Sequence, residues 1–579
     1  MLCVNVRWVA VLLCAWTAMF GSMGHPLDNK TNMTTVTPQM EEESREEMMP
    51  TPANTTDTNA TYVFKHSVRQ SLSLSAGEQE FLLKRKQVAL KALNKLGIKS
   101  TLDSVPHVAI LGSGGGQRAS VSLVGSLDQL EQEGLLDTVI YLGGVSGTAL
   151  AMCSLYSDPQ WSRNIDRAVS RLSAPGVKPL EVVSWLGQKA KDKRFSLSDI
   201  WGVVISAAIT KQLDLQRLSD DRMNTFNPYP IYNVVNKKCL NNGPVRGKWF
   251  ELTPHEAGFT DLGLFINTSH VGSSNYDEGP EGKETERDMT QMQVSWMIQK
   301  GLPMIGNWEW GTTENFLYQY PGAEVPSCIS GEEHLQLIDG GLMMNMPFPP
   351  FLGEKRDADL LIALDSGSSQ TFETLTEARD YAKAMKKPFP EIDDRIFEEK
   401  DWPEDCYVFE GKEKEPTIVY IPLFNRHNCK DVEEVQAKMK EFSTFQLPLN
   451  QERIEFMLET AKANIRNNKD TLLMEIYKAS RRRHKKITHH LPMKPTSSTR
   501  SWSSLQGTDR LEHWASYIGL VSQSEDPQAE DMEPALVTEL HQTLYVSVRG
   551  PVADPGRQQA QLARAIQKVA SKAGWSGRV

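Results

Sequence analysis

Three groups of residues in this chain have the types and spacing of an acyl-transfer site. Gly143-Gly144-Val145-Ser146-Gly147-Thr148 sets a serine hydroxyl among small residues. A nucleophile in a sharp strand-to-helix turn needs such neighbours, because larger side chains would clash there. Thr148 stands where the G-x-S-x-G pattern has its second glycine, so the elbow signature is imperfect. Gly112-Ser113-Gly114-Gly115-Gly116-Gln117-Arg118 is a glycine loop entering a helix. Its N–H groups suit either a phosphate or the oxyanion of a tetrahedral intermediate. Leu335-Gln336-Leu337-Ile338-Asp339-Gly340-Gly341 reads as a buried strand ending in an acid.

A serine hydroxyl is a weak nucleophile and needs a base beside it. Asp339 would project into the same rim as Ser146; the plainer alternative is a turn-forming Asp-Gly, of the kind also seen at Asp365-Ser366-Gly367. Twelve histidines are present, and a Ser, Asp, His order can be forced through His427. No histidine stands in a pattern that recommends it.

The elements needed to position these groups are written around them. An apolar run His107–Leu111 fits a buried strand, and Val121, Val124, Leu127 and Leu130 share one face of a helix that closes at Gly134. A second strand-like run, Thr138–Leu142, enters the serine turn, and a small-residue helix follows. This is a βαβ unit that brings both glycine loops to one sheet edge. The glycine loop alone is equally a nucleotide-binding or packing turn, and a G-x-S-G elbow alone often arises by chance; their order is what favours a hydrolase. Strand-like and helical runs alternate from residue 65 to 480 without a linker, which predicts one large α/β domain. A helix is expected from about Ala76 to a stop at Gly97.

With these residues in place, the chain resembles the group IV cytosolic phospholipase A2 family. The resemblance is carried by Ser113-Gly114-Gly115-Gly116-Gln117-Arg118-Ala119, Gly144-Val145-Ser146-Gly147, and Asp339-Gly340-Gly341-Leu342 with Asn345-Met346-Pro347. Phe226-Asn227-Pro228-Tyr229-Pro230, Trp249-Phe250-Glu251-Leu252-Thr253-Pro254, Lys387-Pro388-Phe389-Pro390 and Phe442-Ser443-Thr444-Phe445 extend it over residues 70–478. It implies a patatin-like α/β fold, with a central, mostly parallel sheet flanked by helices and carrying a cap or lid. It also implies a Ser–Asp dyad without a catalytic histidine, cleaving the sn-2 ester of glycerophospholipids with accompanying lysophospholipase activity. By the resemblance, Ser146 is the nucleophile, Asp339 the base, and the Gly115 and Gly116 N–H groups the oxyanion hole. Arg118 contacts the substrate phosphate, and Arg356, at a second position where the family has a functional arginine, is expected to bind that phosphate too. No cofactor or metal is implied. Gln117, Val145, Thr148 and Gly340 depart from the usual family residues without removing a catalytic group. A patatin-like neutral-lipid hydrolase or acyltransferase, or a non-catalytic lipid-binding relative, are the alternatives.

Only about 65 residues precede the expected catalytic domain, too few for the family's calcium-binding lipid module, and the chain ends Ser576-Gly577-Arg578-Val579 without a prenylation motif. The layout therefore resembles the calcium-independent gamma branch. The expected partner is a phospholipid membrane surface. A net charge of −10 argues against nucleic acid.

Residues 1–24 have the form of a secretory signal: Arg7, an apolar run from Trp8 to Phe20, then Ser22 and Gly24 at a small-residue cleavage site. Sequons follow at Asn29, Asn32, Asn54 and Asn59, with a fifth at Asn267. The family resemblance points instead to the cytosol and its membrane surfaces. Five cysteines outside the leader-like stretch, an odd count, lean towards a reducing compartment. Residues 25–64 read as disordered, and 481–579 as a basic, largely disordered tail opening with Arg481–Lys486 and ending in an amphipathic helix near Arg557–Ala573. Asp339 lies 193 positions after Ser146, which leaves room for a lid that includes Trp296, Met297, Ile298, Leu302, Met304, Trp308 and Trp310.

Overall fold

The computed structural model describes residues 68–490, apart from 179–180, 183, 186–187, 189–201, 204–205, 222–223, 272–311, 323, 368–369 and 444–448. The leader-like stretch, the segment to residue 64, the terminal helix and the tryptophan-rich part of the expected lid lie outside these residues.

The site rests on β2 (Val108–Gly112), α2 (Gly116–Gln132), β3 (Tyr141–Gly144) and α3 (Ser146–Leu155), the expected βαβ unit. Before them come β1 (Arg69–Gln70) and α1 (Ala76–Lys95), the latter capped by Ser75, whose hydroxyl accepts from Glu78 N at 3.1 Å. After α4 (Ile165–Ser173), β4 (Tyr229–Asn236) continues the sheet. It is followed by α5 (Lys237–Asn242), β5 (Trp249–Leu252), β6 (Glu256–Phe259) and β7 (Leu264–Asn267). Next are β8 (Thr312–Glu314), α6 (Ser327–Ser330) and β9 (His334–Asp339). The chain closes with β10 (Leu360–Asp365), α7 (Glu373–Met385), β11 (Tyr407–Phe409) and β12 (Thr417–Pro422), then α8 (Val432–Glu441), α9 (Gln451–Asn467) and α10 (Lys469–His490).

The sheet runs β1-β7-β6-β5-β4-β3-β2-β10-β12-β11, with β9 on β4 and β8 on β9. Its centre, β4-β3-β2-β10-β12, is parallel, and those strands are buried along their length. Near-continuous apolar runs such as Val108–Leu111 and Leu360–Leu364 follow from helices covering both faces. Both wings are antiparallel. The expected mostly parallel sheet is thus a mixed one. The connections from β5 to β6 and from β6 to β7 span only residues 253–255 and 260–263, too short for a crossover helix. Part of the segment expected as a lid therefore forms sheet.

α2 and α9 pack closely: a Cβ on Gly125 would lie 2.7 Å from Leu458 O. The basic run Arg481–Lys486 does not begin a disordered tail. It lies within α10, where Arg483 and Lys486 pair with the Asp357 and Asp359 carboxylates at the start of β10. Composition alone reads those charges as solvated; partners more than 120 positions away hold them.

Candidate active site

Ser146 follows β3 and opens α3, buried and at φ +52°. A non-glycine residue in this left-handed region is strained by about 1–3 kcal/mol and persists only where its surroundings enforce it. Thr148 supplies part of that enforcement. Its hydroxyl lies 2.8 Å from both Gly112 O and Val145 O and accepts from Val145 N at 3.2 Å. The residue that spoils the G-x-S-x-G pattern thus latches the serine turn to the end of β2. Glycine is needed at 147 because a Cβ there would collide with the Gly116 backbone. The Ser120 hydroxyl ties the loops further, donating towards Gly147 O at 2.5 Å and Gly116 O at 3.2 Å.

Gly115 and Gly116 carry φ of +148° and +61° and start α2, so the N–H groups there face outward from a helix N-terminus. A Cβ on Gly147 would lie 2.8 Å from Gly116 N, which puts that nitrogen beside the serine turn.

Sheet register brings Asp339 to the same place. β3 pairs with β4 up to Gly144 opposite Tyr232, after which the chain leaves for the serine turn. β9 pairs with β4 from that point, with Asp339 opposite Val234. Ser146 is two residues past Gly144, and Val234 is two past Tyr232. Both residues therefore come to the same end of β4. The contacts agree: a Cβ on Gly340, the residue after Asp339, would sit 3.0 Å from Cγ1 of Val145, the residue before Ser146. Asp339 Oδ1 accepts from Gly341 N at 2.8 Å, which fixes the carboxylate's direction.

Asn345 joins the two halves and was not singled out as a site residue from the sequence. Gly114 N donates to Asn345 O at 3.0 Å. A Cβ on Gly114 would collide with Asn345 Oδ1 and lie 3.0 Å from Ser146 Cβ. A Cβ on Gly341 would sit 3.0 Å from that same Oδ1 and 3.2 Å from Asp339 Oδ1. Its sequence signal is the Asn345-Met346-Pro347 motif six residues after Asp339, which marks the resemblance without giving the asparagine a role.

Arg118 is 2% exposed. Its Nε donates to Ser366 O at 2.8 Å and its Nη1 to Phe442 O at 2.5 Å. Nη2 has no hydrogen-bond partner among the described residues, and a Cβ on Gly115 would lie 3.1 Å from it. One edge of the guanidinium is therefore structural, and the remaining nitrogen lies over the glycine loop at Gly115. Burial pulls the guanidinium down to about 10, so it is cationic at neutral pH.

Arg356 is not brought to this rim, a correction to its expected phosphate-binding role. Its five donors all bond: Nε to Glu78 Oε1 at 2.8 Å, Nη1 to Glu251 Oε2 and Pro350 O at 3.1 Å, and Nη2 to Glu251 Oε1 at 2.8 Å and Glu78 Oε2 at 3.1 Å. Its carbonyl holds the His107 ring at 2.7 Å, at the end of β2 opposite Gly112. Five residues of strand separate the ends, about 16 Å. Burial raises the Glu251 carboxyl, but Arg356 and Lys355 more than offset that and hold it well below the usual carboxylate range. A motif position cannot reveal that two distant glutamates occupy the arginine.

His427 is exposed and pairs through Nδ1 with Asp405 Oδ2 at 2.8 Å. It follows β12, three strand spacings or about 14 Å from β3. That is out of reach of Ser146. Among the described residues no three His, Cys, Asp or Glu side chains gather as a metal site.

The sequence model of the lysophospholipase catalytic domain matches residues 108–292, which includes Ser146 and ends before Asp339. The chain is 27% identical to human cytosolic phospholipase A2 gamma over 522 residues, covering 70% of this chain and 94% of that one. It is 31% identical to human cytosolic phospholipase A2 zeta over 479 residues, covering 65% of this chain but only 56% of the longer relative. Among solved structures, human GIVD cytosolic phospholipase A2 superposes with a TM-score of 0.59 at 23% identity, covering 72% of this chain and 69% of that one. The same human enzyme in complex with methyl gamma-linolenyl fluorophosphonate gives 0.56 at 26% identity, with 72% and 66% covered.

Proposed function

We propose that this chain, which is similar to cytosolic phospholipases A2 in sequence and fold, cleaves the sn-2 acyl ester of membrane glycerophospholipids through a Ser146–Asp339 dyad. The observation that carries this reading is the switch of partners on β4, which sets Asp339 level with the strained serine.

Ser146 Oγ attacks the ester carbonyl carbon while the Asp339 carboxylate takes its proton. The carbonyl oxygen, now negative, receives the N–H groups of Gly115 and Gly116 at the positive end of α2. Collapse expels the lysophospholipid alkoxide, which recovers the proton from Asp339. Water then attacks the acyl-Ser146 ester, Asp339 takes the water's proton, and the fatty acid leaves as the serine is restored. A lysophospholipid presents the same ester chemistry, so lysophospholipase activity accompanies the reaction.

The unpartnered Arg118 Nη2 supports a role in holding the phosphodiester beside the oxyanion loop. A neutral-lipid hydrolase has no use for that charge. Each charged species in the cycle is matched to a group of the chain itself, so turnover needs no calcium. The substrate is drawn from a phospholipid surface. The relatives' names support the cytosol, while the leader-like N-terminus supports the secretory route; the hydrolysis is compatible with either. Fatty-acid release from phosphatidylcholine vesicles tests the reading. Wild-type protein releases it and Ser146→Ala does not; release at the wild-type rate by Ser146→Ala overturns the assignment.

A further inference from the structure

The cysteines and one sequon of the catalytic domain bear on the compartment in which it folds. Cys239 on α5 and Cys328 on α6 form a disulfide, with Cα atoms 5.4 Å apart and 89 positions between them in sequence. The bond sits at a chosen place. Cys239 lies three residues past the end of β4, and Cys328 lies six before the start of β9. It therefore staples the two strands whose pairing presents Asp339.

The other three cysteines are suited to surviving as thiols among oxidants. Cys153 and Cys429 are buried and Cys406 is partly so. Burial pushes the thiols up, to about 12 for Cys406 and about 11 for Cys429, which leaves little reactive thiolate. The odd count that leaned towards a reducing compartment thus resolves into one bridge and three sheltered thiols.

The fifth sequon, Asn267-Thr268-Ser269, lies within this same domain. Asn267 ends β7 and is exposed, and its Oδ1 accepts from Ser269 N at 3.1 Å and from the Ser269 hydroxyl at 2.7 Å. The asparagine and the sequon hydroxyl thus share one surface turn. β7 is four strand spacings from β3, about 19 Å, so a bulky group there leaves the serine rim open.

We propose that this catalytic domain is built for an oxidising lumen, with Asn267 as an N-glycosylation site and Cys239–Cys328 as a structural disulfide. The leader-like N-terminus and its four sequons supply the entry route. In the first modification, Asn267 Nδ2 loses a proton and bonds to the anomeric carbon of a lipid-pyrophosphate-linked oligosaccharide; the lipid pyrophosphate leaves. In the second, the Cys239 and Cys328 thiols give up two protons and two electrons to a lumenal protein disulfide, which becomes a dithiol. Neither step depends on the proposed hydrolysis, so the inference and the phospholipase reading fail separately.

The test expresses the full chain in cultured animal cells. Protein from the medium is alkylated without reduction under denaturing conditions, and its peptides are mapped by mass spectrometry. Cys239 and Cys328 are expected in one cross-linked species, with Cys153, Cys406 and Cys429 alkylated. Glycosidase release in heavy-oxygen water is expected to leave labelled aspartate at position 267. Asn267→Gln should remove one glycosidase-sensitive mobility step. Alkylated Cys239 and Cys328, an unmodified Asn267, or a chain held inside the cell without glycan would each overturn the proposal. Because the unmutated protein is mapped, the result does not depend on whether a cysteine variant folds.

Discussion

Replacing Arg118 separates headgroup recognition from loop support, because the structure gives the side chain both tasks. Two of its nitrogens hold the Ser366 and Phe442 carbonyls, while Nη2 is the one beside the glycine loop proposed as the oxyanion hole. A hydrogen bond to a charged group contributes about 1.5–3 kcal/mol. Loss of the phosphate contact in Arg118→Ala should therefore slow kcat/KM on phospholipid vesicles by about 10- to 160-fold. Each buried carbonyl left without a donor costs about 1–3 kcal/mol in stability, so the melting temperature should fall as well. Lysine keeps the charge but cannot span two carbonyls and the substrate with one ammonium, and should recover only part of the rate. A p-nitrophenyl ester has no phosphate to lose, so folded Arg118→Ala should hydrolyse it at a rate much nearer wild type. Rates on both substrates, taken below the variant's melting temperature, decide the matter. Equal losses on the two would refute headgroup recognition and leave Arg118 a loop-supporting residue.

Three further outcomes follow from the same contacts. Arg356→Met should destabilise the fold by about 3–5 kcal/mol in urea unfolding, since it removes the bidentate partner of the buried Glu78 carboxylate and leaves Glu251 with Lys355 as its one cation; its KM for phospholipid should not change in the molecules that fold. Burial raises the Glu377 carboxyl from 4.5 to about 7. The folded protein thus binds this proton more tightly than the unfolded chain does, and the stability so gained is complete below 4.5 and lost as pH rises to about 7. Glu377→Gln should flatten the decline in melting temperature across that window, and an unchanged slope would count against it. Vesicle hydrolysis by wild-type protein should keep nearly its full rate in excess chelator; a rate that collapses and returns with added calcium would contradict the mechanism.

Local pattern was enough for the nucleophile unit. The β2–α2 and β3–α3 pairs are adjacent in sequence, and their glycines are dictated by the turn geometry itself. α1 was readable for the same reason, from its start near Ala76 to the stop at Gly97. What sequence could not supply were the long-range partners. The pairing of β9 with β4 joins residues about a hundred positions apart, and only register puts Asp339 level with Ser146. Arg356 looked functional by motif and is held by Glu78 and Glu251, 278 and 105 positions away. The Cys239–Cys328 bridge could not be deduced from five cysteines, since spacing alone does not choose a pairing. The basic run at Arg481–Lys486 shows the converse error, charge read as solvent-facing because its acidic partners lie far away in the chain.

The dyad is tested most directly by covalent labelling with an acyl-like fluorophosphonate, followed by peptide mass mapping and a rate for adduct formation. The adduct should form on Ser146 in the wild-type protein. Asp339→Asn should label about 10²–10⁴ times more slowly, the usual worth of a general base, and His427→Ala should label at close to the wild-type rate. An adduct on another residue, an Asp339→Asn protein that labels as fast as wild type, or a His427→Ala protein that fails to label would contradict the Ser146–Asp339 assignment.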